Sequence, residues 1–426
     1  MKKFLALILA LVMALSLVAC GEKAPVDEGT PGGDEVVESA VKVGFICLHD
    51  ENSTYDKNFI DGAMEAIANL GLTEADYILK TNIPEGQECY DTAMDLVDDG
   101  CNIIFANSFG HEPFMLQAAQ ECPDVEFCHS TGTLAHTAGV PNYHNAFASI
   151  YEGRFLAGVA AGLKLNAMIE AGEITAEQAK MGYVGAFTYA EVVSGYSSFY
   201  LGAKSVCPSV TMEVTFTGSW YDEALEKEGA QKLIDRDCVL ISQHADSLGA
   251  PTACENAGVP NVSYNGSTQA AGPNTYIISS RINWAPYYEY AINAVKNGEA
   301  IAADWTGTLA TGSVVLTDVN EAVAAPGTAE KLAEVQAALE AGTLHVYDCS
   351  TFTCTVSDTV NTFKAETLKL DADGYITSYM ADVDTDEAYA GDTEVIDGGV
   401  FYESKFRSAP YFDLEIDGIT RLDTKM

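Results

Sequence analysis

From Val41 to Gly298 the chain alternates two patterns, and no other feature restricts its fold so strongly. VKVGFICL (41–48) is a continuous apolar run of strand length, and Asp56 to Leu70 follows with Ile60, Met64 and Ile67 at helical spacing and Gly71 as a stop. The unit repeats: DYILKT reads as a strand, CYDTAMDLVDD as a helix ended by Gly100, NIIFA as a strand, PFMLQAAQE as a helix and VEFCH as a strand. A second run of the same kind begins near Tyr151. RFLAGVAAGLKL is an apolar helix whose small residues permit close packing, Glu170 to Lys180 is a charged surface loop or helix, and GYVGAF is a strand. VSGYSSFYLGAK, DEALEKEGAQKLIDR and APTACENAG are helices separated by the strands TMEVTFTG and CVLISQH. NVSYN and TYIISS are short strands before the helix YYEYAINAVKNG. Such alternation through short loops predicts parallel sheets with helices on both faces. From Trp305 the pattern weakens: residues 327–341 form one more helix, and 343–426, rich in Thr, Tyr, Asp and Gly, read as short strands and turns. The expected class is α/β, two Rossmann-like lobes with a small β-rich C-terminal extension.

The N-terminus sets the compartment. Met1-Lys2-Lys3 is basic, Phe4 to Val18 is apolar except for Ser16, and Leu17-Val18-Ala19-Cys20 follows. The apolar run is short for a mature membrane span, and the layout is that of a secretory leader. Leu-x-Ala-Cys resembles a lipobox, which implies removal of residues 1–19, a diacylglycerol on the Cys20 thiol and anchorage on the extracytoplasmic face of the cell membrane. Residues 20–40, rich in Gly, Pro, Glu and Asp, read as a flexible, self-repelling linker. A net charge of −40 repels phosphate backbones and excludes nucleic acid as a partner. Besides Cys20 there are ten cysteines; several lie in strand-like apolar runs and read as buried thiols, with Cys349 and Cys354 the best candidates to pair.

In an open parallel sheet, ligands bind beyond the carboxyl ends of the strands. The residues there are aromatic or short and polar: Thr54-Tyr55-Asp56, Ser108-Phe109, His129-Ser130-Thr131, Phe187-Thr188-Tyr189, Trp220-Tyr221, His244-Ala245-Asp246, Asn265-Gly266 and Arg281-Ile282-Asn283-Trp284. Any one loop is explained by turn and helix-cap chemistry. Eight such loops facing one cleft suit a flat ring carrying hydroxyls.

Several stretches resemble the basic membrane protein (Bmp) family of solute-binding lipoproteins, over roughly 41–350 of this chain. Thr54-Tyr55-Asp56 before Gly62, Glu152-Gly153-Arg154-Phe155-Leu156-Ala157-Gly158, Gly218-Ser219-Trp220-Tyr221-Asp222 and Asn283-Trp284-Ala285-Pro286-Tyr287-Tyr288 carry the resemblance. It implies a type I periplasmic-binding fold, two lobes joined by three crossovers that close on a purine nucleoside for an ABC importer. It also implies that Tyr55 stacks on the base, Asp56 hydrogen-bonds it, Trp220 closes the stack from the second lobe and Asn265 stands at a ribose-contacting position. The expected ligand set is Tyr55, Asp56, Phe109, His129, Phe187, Trp220, Asp246, Asn265, Arg281 and Trp284. Tyr-Asp at 55–56 and Asn at 265 replace the family's Phe-Asn and Asp, and Arg281 is the nearest match to its lysine. A nucleoside, a free base, a flavin-like ring or a sugar each fit these changes.

The expected division is 41–148 with 265–304 as the first lobe, 149–264 with 305–342 as the second, and 343–426 packed on the second. No nucleotide-hydrolysing loop (G-x-x-x-x-G-K-[ST]) and no G-x-S-x-G occur, so the chain is expected to be no enzyme, to need no cofactor and to rely on a permease and its ATPase. His129, His136 and His144 lack metal-ligand spacing, and Asp382-Val383-Asp384-Thr385-Asp386 lacks the Gly and Glu of a calcium loop, so no metal is expected. The alternatives are a sugar or flavin receptor of the same fold, a surface ectoenzyme acting on nucleosides, and a ligand sensor that docks on a membrane receptor kinase. The protein is expected to act as a monomer.

Overall fold

The computed structural model describes residues 41–362, 364, 366–383 and 393–425. The leader, the linker, Cys20 and most of the acidic stretch 382–386 lie outside them. Among the described residues no helix is long and apolar enough to cross a membrane.

The alternation read from sequence forms two sheets. In the first lobe β1 (Val43–Ile46), α1 (Thr54–Asn69), β2 (Tyr77–Lys80), α2 (Gln87–Asp98), β3 (Ile103–Ala106), α3 (Glu112–Glu121), β4 (Glu126–Ser130) and β5 (Tyr143–Ala148) follow in order. The second lobe runs through α4 (Ile150–Glu170), β6 (Lys180–Gly185), α5 (Ala190–Val206), β7 (Thr211–Phe216), α6 (Glu223–Ile234), β8 (Leu240–His244), α7 (Gly249–Ala257), β9 (Asn261–Tyr264) and β10 (Tyr276–Ile282). Then come α8 (Ala285–Asn297), β11 (Asp304–Gly307), β12 (Val314–Leu316) and α9 (Thr328–Glu340). The first sheet has the order β11-β5-β4-β3-β1-β2, parallel throughout. Strands β1 and β3 are buried along their whole length, as strands covered on both faces must be.

The chain crosses between sheets three times, but at places other than expected. Strand β10 pairs with β9, so residues 265–282 belong to the second lobe and the return crossing falls at Asn283-Trp284. Helix α8 then packs on the first lobe, with the Tyr288 ring 5.2 Å from Phe45 and 4.7 Å from Phe105. Strand β11 pairs with β5, which keeps 304–307 in the first lobe, and the last crossing lies between β11 and β12. Sequence identified the strands; which sheet an edge strand joins depends on partners far away in the chain.

The small residues of α4 serve the expected close approach. A methyl group at Gly158 would stand 2.0 Å from the Phe199 carbonyl, and one at Gly202 would stand 2.0 Å from the Phe155 carbonyl. Helices α4 and α5 thus meet backbone to backbone beneath the second sheet.

The extension packs on the second lobe. Tyr347 stacks on Phe412 with ring centroids 4.1 Å apart, and Glu403 accepts a hydrogen bond from the Ser194 hydroxyl of α5 at 2.5 Å. Its last strand, β13 (Ile419–Arg421), lies parallel to β7 and ends the sheet β12-β10-β9-β8-β6-β7-β13. The extension also reaches the first lobe, where the Ser408 N–H donates to Asp304 of β11 at 2.6 Å. The ten cysteines from Cys47 to Cys354 are free thiols, so the expected Cys349–Cys354 pair is not formed. Both cysteines are buried in the hydrophobic core that the extension shares with the lobes, and burial pushes the Cys349 thiol up to about 11.

Candidate functional site

The carboxyl ends of the two sheets face one narrow cleft. Leu48 follows β1, Tyr55 opens α1, Ser108 and Phe109 follow β3, and Thr131 follows β4. From the other side come Glu191 in the first turn of α5, Trp220 after β7, His244 and Asp246 at the end of β8, and Tyr264 closing β9.

Local chemistry fixes the first-lobe wall. Ser53 caps α1 by accepting the Asp56 N–H at 3.1 Å, which leaves Tyr55 at the helix mouth. The Tyr55 hydroxyl donates to the Asn107 carbonyl at 2.5 Å, and its ring leans on Phe59 at 4.8 Å. Asp56 is fully buried and accepts from Asn107 Nδ2 at 2.7 Å and from the His49 N–H at 3.1 Å. Burial pushes its pKa up, but donors from His49, Asn107 and Ser53 outweigh that and hold the carboxyl below its ordinary range.

The second-lobe wall is aromatic. Phe187 stacks on Tyr189 at 5.1 Å, and Trp220 meets Phe187 edge-on at 5.1 Å. Phe109 reaches across the mouth to within 5.6 Å of Tyr189. At the floor Arg154 of α4, wholly buried, donates to the Tyr183 hydroxyl at 2.8 Å and lies 4.8 Å from the Tyr264 ring, which ties β6 and β9 together under the ligand space. Nearby, the Thr54 N–H and hydroxyl of the first lobe donate to the Asp246 carbonyl of the second, at 3.0 and 3.1 Å.

The lining is acidic and carries no lysine or arginine among the described residues. Burial, then the carboxylates of Glu226, Asp56 and Glu191, push the Asp246 carboxyl well above its ordinary pKa, against the Asn265 amide that donates to it at 3.3 Å. Burial pushes Glu226 up to about 7. It lowers the His244 imidazole, which lies 3.4 Å from Glu191. Such a lining offers carboxyl oxygens to hydrogen-bond donors and no lysine or arginine to a phosphate.

Of the residues expected from sequence, Tyr55, Phe109, Trp220 and Asp246 line the cleft. Phe187 stands behind Trp220, and Asn265, in the left-handed region at φ 68°, bridges Asp246 to Asn58 of α1. Asp56 and His129 are buried in the first lobe, where His129 Nε2 meets the Ser108 carbonyl at 2.6 Å. Two expectations need correction. Arg281 lies on a separate surface groove with Glu51, Lys57 and Asp61. Trp284 is 1 % exposed and stacked on Phe59 at 4.4 Å, so it is core at the return crossing and not a ligand wall. Sequence reading missed Leu48, Glu191 and Tyr264. An acid one residue into a helix that follows a strand was the available signal for Glu191. Tyr264, the last residue of a buried strand, gave none.

Against known proteins, the model of the ABC transporter substrate-binding protein PnrA-like family (Bmp) matches residues 44–343. A purine-binding protein of Brucella abortus is 31 % identical over 63 % of this chain and 72 % of its own. A Haloferax volcanii protein carrying the name of an ABC transporter glucose-binding protein is 33 % identical over 50 % of this chain, which spans about half of that relative's length (51 %). Among solved structures, an ABC transporter solute-binding protein of Conexibacter woesei superposes with a TM-score of 0.58 at 21 % identity, covering 72 % of this chain and 98 % of that one.

Proposed function

We propose that this chain, which belongs to the Bmp family of PnrA-like ABC transporter substrate-binding proteins, captures a purine nucleoside outside the cytoplasm and hands it to an ABC permease and its ATPase. One observation carries the choice of ligand: a cleft walled by Tyr55, Phe109, Trp220 and Tyr264 holds the carboxylates Asp246 and Glu191 and no cation among its described lining residues. Aromatic faces on both lobes receive a flat ring, and buried acceptors receive its N–H and O–H groups. A phosphate in that cleft would meet no lysine or arginine among the described lining residues. The name of the Brucella relative points to the same ring chemistry.

In this reading Tyr55 and Trp220 bracket the base from opposite lobes and Asp246 receives its polar edge. Asp56 and Asn265 act one layer back, holding Asn107 and Asp246 in place. Binding favours the closed pair of lobes, because only closure brings both aromatic walls onto one ring. The protein is a monomeric receptor, not a catalyst, held to the membrane by a lipid on Cys20. The sugar reading rests on the name of the Haloferax relative, and aromatic faces serve pyranose rings too.

Calorimetry on the full chain with adenosine, guanosine, their 5′-monophosphates and glucose tests this. The expected result is binding of the nucleosides, recovered intact, and none of the monophosphates. Ligand at about a hundred times its Kd should also raise stability by about 2.7 kcal/mol. Equal binding of monophosphates, conversion of the nucleoside, or binding of glucose alone would overturn it.

A further inference from the structure

A second chamber adjoins the cleft, and the C-terminal extension builds one of its walls. It measures about 820 Å³ counted to open solvent. It shares Phe109, Thr131 and Glu191 with the first cleft. Thr133 of the first lobe and Tyr189 of the second face Pro410 and Asp413 of the extension across it. That wall is held in place. The Arg407 guanidinium donates to the carbonyls of Ala409 at 3.0 Å, Pro410 at 2.9 Å and Val383 at 3.2 Å. Ser408 is bonded to Asp304 of the first lobe, and Glu403 to Ser194 of the second.

At the junction of the two chambers stands Thr131, and two independent features mark it. Its φ is 76°, a conformation that a β-branched residue adopts only at a cost and that clusters at ligand sites. Its hydroxyl is buried without a hydrogen bond of good geometry, although it lies near enough to Tyr55 to favour that phenol's ionised form slightly against the larger effect of burial. A buried hydroxyl left unpaired by the protein calls for a partner, and one that lines both chambers is placed to find it in a ligand.

We propose that the ligand spans both chambers: its flat ring occupies the cleft, and its sugar passes Thr131 into the chamber closed by the extension. Its one cation among the described lining residues, Arg407, is engaged with three carbonyls and is offset by the acids Glu191 and Asp413, so the lining there fits a neutral, hydroxyl-bearing ring. Tyr189 offers an aromatic face, Thr131 and Thr133 offer hydroxyls, and the Asp413 carboxylate, steadied by the Tyr379 hydroxyl at 2.6 Å and paired with Lys364, offers the remaining lone pairs of its two oxygens. This places the hydroxyl recognition on the extension side of the cleft. At the opposite side the Asn265 amide is already shared between Asp246 and Asn58.

The inference rests on the nucleoside reading, and one experiment separates the two. Adenine and adenosine are titrated into the full chain and into two variants. Thr131→Val removes the hydroxyl and keeps the shape. Ala190→Trp, at a half-buried lining position, fills the chamber and leaves the cleft open. Both variants should weaken adenosine by about tenfold or more, the loss expected when a site built for a hydroxyl loses its partner; Ala190→Trp, which lies outside the cleft lining, should leave adenine within about twofold, and Thr131→Val should weaken adenosine more than adenine. If either variant fails to fold, the other decides. Undiminished adenosine binding by any folded variant overturns the chamber and leaves the nucleoside reading standing. A wild-type chain that binds neither compound overturns both.

Discussion

Trp220 is the residue whose removal should read out most directly. It is half-buried, touches Phe187 and Tyr189, and anchors the wall through its carbonyl, which accepts the Asp246 N–H at 2.9 Å. Trp220→Ala keeps that backbone bond and deletes only the ring. Stacking of a base on an aromatic ring is worth about 1–3 kcal/mol, so nucleoside affinity should fall roughly 5- to 150-fold with little change in melting temperature. Affinity that survives the substitution would move the ring off this wall. Tyr55, Trp220 and Asp246 were legible in the sequence because each follows a recognisable strand, and strand ends face the cleft by topology. Trp284 follows a strand as well, yet it turns into the core, and nothing in the order of residues separates those two orientations. The orphan hydroxyl of Thr131 and the floor formed by Tyr264 and Arg154 are properties of packing, visible only once the elements are assembled.

At the scale of elements, the pair α4 and α5 is the tightest constraint in the second lobe. Gly158 and Gly202 each face a carbonyl that leaves no space for a methyl group. Gly158→Ala gains helix propensity of about 1 kcal/mol but forces the backbones apart, a cost of about 1–3 kcal/mol from overpacking and more where backbone must shift. The variant should therefore unfold at a lower urea midpoint than wild type; a rise would mean the helices separate without cost. The glycine and alanine spacing of RFLAGVAAGLKL showed that a close partner was needed, and the helix after GYVGAF was a natural candidate. Most helices and strands through residue 298 were legible in the same way, since periodicity of 3.6 or continuous apolar runs report burial directly. The extension was not. Its strands are two to six residues long, and its core is a cluster of Tyr347, Phe401, Phe412 and Tyr411, whose pattern follows no period.

The whole molecule carries its acidity in two ways, and stability should depend on pH through both. The two-lobe plan and its three crossings could be anticipated from the family resemblance, whereas the sheet that each late strand joins could not, because pairing is decided by distant partners. One result is that the extension closes over the second lobe and buries Glu403, which burial pushes up to about 7. Burial likewise raises Glu226 and Glu152 to about 7. Each has a folded pKa above its ordinary 4.5, so folding favours the protonated form. The stability this supplies is complete below about pH 4.5 and is lost as pH rises through about 7. Repulsion within a chain of net charge −40 grows in the same direction. In the opposite sense, donors hold Asp56, Glu213 and Asp423 below their ordinary values, and their contribution disappears only as pH falls through those lowered values. The urea midpoint should thus be higher at pH 5 than at pH 7.5, by an amount on the order of 2–4 kcal/mol in stability. Glu403→Gln, which stays neutral beside Ser194, should flatten part of that slope. A midpoint that rises from pH 5 to 7.5 would mean these carboxyls are ionised in the folded protein and that the extension is held by other contacts.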